Sequence, residues 1–150
     1  MGYLMYSRPS IQVEVGNEWS LAQIHAAVNL LEAVPTEHER LFREIREIVV
    51  QPGMCAAHVE ALTGGRLGRT VVLCQDPADM DVVELAVTFS HEARHHYTDA
   101  RGRARIRPHT CVNCASWEER LSDPIYREDE RLRRHLRKVL FARQAHCRVY

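Results

Sequence analysis

The chain has 150 residues, a formal net charge of zero with histidine neutral, and a hydrophobic fraction of 45%. This length and composition suit a single domain, residues 1–150, with its own core. A balanced charge gives no global reason to expect a nucleic acid or a membrane surface as partner. No apolar run approaches membrane-spanning length, and residues 1–8 lack the features of a signal peptide, so we expect a cytoplasmic protein.

The first elements along the chain are a strand and a helix. Residues 10–15 alternate apolar and polar side chains and end at a Gly-Asn pair, which is typical of a strand. Asn17 then stands where a helix needs an N-cap, and apolar residues continue at helical spacing up to Pro35. The apolar residues at this spacing are Trp19, Ala22, Ala26, Leu30 and Leu31. The pattern predicts a first helix of roughly four turns.

The next segment predicts a second helix and two strands. Thr36, with Glu39 three residues later, resembles a capping box at a helix start. Residues 48–50 are strand-like and stop at a Pro-Gly pair. Residues 69–74 form the clearest buried strand in the chain, and the glycine-rich turn at residues 63–68 is expected to be a hairpin connection.

The most specific motif is His91-Glu92-Ala93-Arg94-His95, which has the form HExxH. Side chains four apart on a helix lie one turn above each other, so His91 and His95 could hold one metal ion between them. The carboxylate of Glu92 could then reach a water on that metal. The motif therefore predicts a zinc site with a general base beside it.

Acidic residues near the start of residues 79–90, with no Gly or Pro, predict a helix that carries this motif. Its apolar residues are expected to share the face opposite the two histidines. They are Leu85, Ala86, Phe89 and Ala93. The spacing predicts a helix packed on one side and open to solvent on the other, as a metal cleft requires. An exposed helix with a few histidines is the simpler alternative.

Two groups of residues after the motif have several interpretations. Asp99 lies four residues beyond His95, where it could be a third ligand or could orient an imidazole. The basic residues at 101–107 could bind phosphate or an acidic partner, although a solvated loop is the more common explanation.

Cys111 and Cys114 form a Cys-x-x-Cys pair, which could be half of a structural zinc site, a redox pair or a disulfide. Five cysteines in a cytoplasmic chain argue against a disulfide framework. A second, structural metal would take further ligands from His109, His146 or Cys147. Reduced structural thiols are the simpler explanation.

The last third of the chain predicts one long helix, because residues 125–143 contain no Gly or Pro. Its apolar stripe consists of Ile125, Leu132, Leu136, Val139 and Leu140. Glu128 and Asp129 fall at the margins of this stripe, whereas Glu130 falls near its back. A third zinc ligand must face the helix that carries the HExxH motif. This requirement favours Glu128 as the ligand, ranks Asp129 second and ranks Glu130 last. An ordinary charged helix face is the alternative.

The HExxH motif, followed by Asp-Pro-Ile-Tyr-Arg-Glu-Asp-Glu at residues 123–130, resembles a small gluzincin-type zinc metallopeptidase or zincin-like domain. The resemblance covers roughly residues 69–140. It implies an α+β, zincin-like fold with a small mixed sheet packed on helices, and an HExxH helix followed by a long C-terminal helix. The usual larger-gluzincin signature of the third ligand is absent, and the metzincin extension fails because Arg101 stands where a third histidine is required.

This resemblance also implies an activity and a set of site residues. His91, His95 and Glu128 would bind Zn²⁺, and Glu92 would be the general base in hydrolysis of a peptide or protein substrate by a zinc-activated water. Tyr97 and Tyr126 are candidate oxyanion donors, together with His96 and His109. In zincins a strand beside the metal helix often binds extended substrate, and residues 70–74 are the candidate.

Two other functions remain open from the residues alone. One is a zincin-like metal-binding regulatory or interaction module without significant proteolysis. The other is a structural interaction protein in which Cys111, Cys114 and the terminal His146-Cys147 pair hold zinc, and the basic helix at residues 131–138 meets a partner.

Overall fold

A computed structural model describes residues 2–5, 11–51, 70–73, 75–96, 118 and 124–148, with side chains described at 11–51, 70–73, 75–94, 118 and 126–145. The remaining residues lie outside this part of the chain. The described elements, in chain order, are β1 (Gly2–Met5), β2 (Gln12–Val15), α1 (Glu18–Leu31), α2 (Pro35–Glu44), β3 (Glu47–Val50), β4 (Thr70–Leu73), a 3₁₀ turn (Pro77–Asp79), α3 (Val82–His96) and α4 (Pro124–Arg148).

The described strands form one sheet in the order β1-β2-β3-β4. Strands β2, β3 and β4 are parallel, and β1 pairs with β2 in the antiparallel direction. The expected small mixed sheet and long C-terminal helix are therefore present. Because parallel strands alternate with helices, the class is α/β and not the expected α+β.

The parallel pairing of β3 with β4 also corrects the expected hairpin. Ile48 lies opposite Val71 and Val50 lies opposite Leu73, so both strands run in the same direction. A hairpin joins antiparallel strands, whereas a parallel pair needs a connection that returns to the first end of the sheet. The hairpin expected at residues 63–68 is therefore wrong, and the connection itself lies outside the described residues.

The beginning of α1 is as predicted, and Leu30 and Leu31 are buried as expected, but the rest of the expected buried face is wrong. The Asn17 side chain accepts a hydrogen bond from the Ser20 amide at 2.9 Å, which confirms the N-cap. Trp19 is 79% exposed, and Ala22 and Ala26 are also exposed. The buried residues are Ser20, Ile24, Ala27, Val28, Leu30 and Leu31. The expected and the observed buried residues both have helical spacing. The observed face includes the branched side chains of Ile24 and Val28, which bury more apolar area than Ala22 and Ala26 could.

Helix α2 begins one residue earlier than expected. Pro35 occupies the first turn, Val34 is the N-cap, and no side chain caps the helix. A proline at this position needs no hydrogen bond for its nitrogen and has a helical φ, so Thr36 is already inside the helix. The expected capping box is therefore wrong, whereas Leu41, Phe42 and Ile45 are buried along the predicted stripe.

Helix α3 lies at the centre of the fold and packs against α1, α2 and α4. From Leu85 to Arg94 every residue is buried, including the polar ones. At the α2 contact, the Ser90 hydroxyl donates to the Glu37 carboxylate. The expected solvent-exposed side of this helix is wrong, because neighbouring helices cover it.

Helix α4 packs on α3 through the predicted stripe, in which Leu132 and Leu136 are buried and Val139 and Leu140 are partly buried. Ion pairs flank this contact: Arg133 bonds the two Glu84 oxygens, at 2.5 and 3.0 Å. Although α4 has 25 residues, it is strongly charged. Within the described part of the chain, no helix is both long and apolar enough to cross a membrane.

The corrected face of α1 predicts that two substitutions on the same helix change stability by very different amounts. Ile24→Ala removes a fully buried side chain and should lower the free energy of unfolding by about 2 to 5 kcal/mol. Trp19→Ala removes an exposed one and should change it by less than about 0.5 kcal/mol. Denaturant unfolding of the two variants measures both effects. A larger loss of unfolding free energy for Trp19→Ala than for Ile24→Ala would contradict the observed buried face of α1.

Candidate metal centre

The first histidine of the motif is buried and held in one orientation. His91 is 0% exposed, and its Nδ1 lies 2.7 Å from Oδ2 of Asp129 on α4. Its ring stacks on Tyr126, with 5.9 Å between ring centroids. Since a carboxylate accepts, Nδ1 is the donor, and Nε2 is the nitrogen with which His91 would coordinate a metal.

The side chain that α4 presents to His91 is Asp129 and not Glu128. Asp129 is 2% exposed, whereas the Glu128 side chain is 59% exposed. The expectation that Glu128 faces the motif better than Asp129 is therefore wrong. Asp129 precedes the buried Leu136 by seven residues, so the two share one face of the helix, and this spacing was the sequence signal for Asp129.

Arg94 is a site residue that the sequence analysis did not single out, because it occupies a variable position of the motif. Its guanidinium is buried between α3 and α4. Nη1 donates to Glu128 at 2.8 Å, Nη2 donates to Asp129, and Nε donates to the Ser90 carbonyl at 3.3 Å. Arg94 therefore carries the positive charge that compensates the buried Asp129 carboxylate.

Glu92 is the second buried carboxyl group of the site, at 1% exposure. Its Oε2 has no hydrogen-bond partner among the described residues. Burial, and then the charge of Asp129, raise the pKa of Glu92 to about 8. A buried carboxylate oxygen without a partner is unfavourable unless a cation or a water meets it.

Tyr126, one of the expected oxyanion donors, is 4% exposed and lies against the His91 ring. His95 follows one turn after His91 in the α3 backbone, but its side chain lies outside the described residues. The other expected site residues also lie outside: Tyr97, Asp99, His109, Cys111 and Cys114, and the side chains of His96, His146 and Cys147. Among the described residues, no group of three or more His, Cys, Asp or Glu converges to hold a metal.

Strand β4, the expected binding strand for substrate, is last in the described strand order. None of its residues is more than 8% exposed, so the strand is covered. Its use by an extended peptide therefore stays a prediction.

The described residues fit a bound cation in two respects. One is the unpartnered, buried Oε2 of Glu92, and the other is the imidazole of His91, oriented through Nδ1 by a carboxylate, as metal-ligating histidines usually are. Comparisons with protein-family models, curated proteins and solved structures found no match. The geometry of these side chains is therefore the basis for assigning a function.

The raised pKa of Glu92 predicts a pH-dependent stability of the metal-free protein. Glu92 has a pKa of about 8 in the folded state and about 4.5 in the unfolded state, so between these values only the folded state keeps the proton. The free energy of unfolding of the wild type should therefore fall, relative to Glu92→Gln, by up to about 1.4 kcal/mol per pH unit. Denaturant unfolding with a chelator, from about pH 5 to about pH 7, measures this difference; a constant difference would contradict it.

Proposed function

We propose that the chain is a zinc-dependent metallopeptidase that uses His91 and His95 as metal ligands and Glu92 as general base. The observation that carries this proposal is the buried Glu92 carboxyl group with its unpartnered Oε2, next to a histidine that Asp129 orients. The HExxH spacing puts the second histidine one helical turn away, on the side of α3 that carries His91.

Each described residue has one role in this proposal. His91 binds through Nε2, because its Nδ1 is bonded to Asp129. Asp129 is the orienting partner and not a ligand, since its two oxygens are bonded to His91 and Arg94. Glu128 leaves the ligand set, because it is half exposed and bonded to Arg94.

The chemistry follows from these positions. A zinc ion bound by these histidines would supply a Lewis acid and would acidify a water molecule. In its ionised form, which the charge of a nearby zinc ion would favour, Glu92 accepts the proton of the attacking water at Oε2 and returns it to the leaving amine of the peptide. Asp129 keeps the His91 ring in place, and the buried surroundings strengthen every charge interaction in the site.

One observation favours a second candidate function. His91 and Glu92 are at most 1% exposed, so a peptide has no open path to them in the described part of the protein. A zincin-like module that binds metal for regulation or interaction, without significant proteolysis, fits this burial. The two candidates share the metal site and differ in turnover.

Metal content and peptidase activity together test the proposal. Wild type and Glu92→Gln should hold one zinc and His91→Ala should lose it, because only the histidine is a ligand. Glu92→Gln should lower peptidase activity by about 10² to 10⁴-fold, since the general base is gone. Glu130→Gln is the acidic control on α4, because its carboxylate is bonded to Arg133 and Arg134, and it should keep both the zinc and the activity.

Elemental analysis gives the zinc content, and cleavage of a fluorogenic peptide library gives the activity. Zinc without cleavage in the wild type would select the metal-binding module. Absence of zinc from the wild type, or its survival in His91→Ala, would refute both candidates.

A further inference from the structure

We infer that Arg94 is a positioning residue of the metal site, which sets zinc affinity by fixing the Asp129 carboxylate that orients His91. The inference rests on the proposed zinc site. It assigns a function to a variable position of the HExxH motif, and it follows from the geometry of three side chains on two helices.

The first step is that the Arg94 guanidinium is itself immobile. The side chain is only 6% exposed, and each of its three nitrogens donates to a different acceptor. One acceptor is the Ser90 carbonyl on the same helix, and the other two are carboxylates on α4. Rotation of the planar guanidinium would break these bonds together, so Arg94 is a fixed point between the helices.

The second step is that the two oxygens of Asp129 are divided between two partners. Oδ1 accepts from Arg94, and Oδ2 accepts from His91. A carboxylate bonded at one oxygen alone can turn about its side-chain torsions. Bonded at both, it is held in one plane, and its bond to Nδ1 keeps the imidazole in one orientation.

The third step is that Asp129 bonds two residues of the same helix, α3. His91 and Arg94 are three residues apart on α3 and are therefore neighbours on its surface. Asp129 reaches across from α4 and joins them. The direction of Nε2 thus depends on a loop of bonds from His91 through Asp129 to Arg94 and back along α3.

A structural role alone would also make Arg94 sensitive to substitution, because its loss leaves Asp129 as an uncompensated buried charge. Arg133 provides the matched control. It also joins α3 to α4, its side chain is 11% exposed, and its ion pairs are with Glu84 and Glu130. Both substitutions to methionine remove an interhelical ion pair, but only one removes the bonds to Asp129.

Zinc affinity, measured by competition with a chromophoric chelator, separates the two roles. Arg94→Met should weaken zinc binding by about 10 to 100-fold, the range found for partners that orient metal ligands. Arg133→Met should leave zinc affinity unchanged, although both variants should unfold at a lower temperature. Equal affinity changes in the two variants, or none in Arg94→Met, would overturn the inference.

Non-additivity gives a second criterion. Asp129→Asn should weaken zinc binding by a similar factor, and adding Arg94→Met to it should weaken binding little further, because both act on the same bond to His91. Additive losses would mean that Arg94 acts independently of Asp129 and would refute the inference. If Arg94→Met does not fold, Arg94→Lys, which keeps the charge but lacks the planar fork, replaces it and should also weaken zinc binding.

A measurement on metal-free protein distinguishes failure of this inference from failure of the zinc site. The Nδ1–H proton of His91 should give a slowly exchanging NMR signal in the wild type and in Arg133→Met, and should lose this protection in Arg94→Met. Preserved protection in Arg94→Met would refute the role of Arg94. A wild type that binds no zinc would refute the proposed function, and the NMR result would still decide the orienting role of Arg94.

Discussion

The contact between α3 and α4 depends on a buried charge cluster made of His91, Arg94 and Asp129. Isolated charges are strongly unfavourable in a protein interior, and those of Arg94 and Asp129 are tolerated because they are bonded to each other. Leu132 and Leu136 set the phase of α4, and this phase turns Asp129 inward. Apolar packing therefore decides which carboxylate meets the motif, and the ion pairs then fix the helices in register.

Glu92 differs from the rest of this cluster because no described residue donates to its Oε2. It lies one residue after His91 on α3. Because α1, α2 and α4 pack against this helix, the Glu92 side chain is shielded from solvent. Such a group lowers stability unless something outside the described protein atoms meets it. A fold that retains it gives up stability at the position where the proposed chemistry needs a base.

Local signals in the sequence predicted most of the helices and strands, but they did not predict how these elements pack against each other. The Asn17 cap, the stripe of α2 and the strand at residues 69–74 follow from short-range chemistry, and the structure contains all three. Helical spacing alone could not decide between the two faces of α1, and it could not show that three helices surround α3. The parallel pairing of β3 and β4 was also missed, since strand direction depends on the connection and not on the strand residues.

The candidate site was partly predictable for the same reason. His91 and Glu92 belong to a motif with a fixed spacing, so the sequence located them directly. To choose between Glu128 and Asp129, one must know which face of α4 is buried. The seven-residue spacing from Asp129 to Leu136 indicates that face, and both residues are buried. Arg94 carries no signal of its own, because an arginine inside HExxH becomes informative only when its partners on a distant helix are known.

The last described part of α4 differs from the part that carries Asp129. Residues 141–145 are all exposed, and five consecutive residues cover more than a full turn, so every side of this segment of the helix reaches solvent. Exposed helix ends that bury little apolar area open with a small free energy, whereas packed turns open only with the whole domain. Amide exchange should therefore slow progressively from residue 145 towards Asp129, and fraying of this end would leave the charge cluster undisturbed.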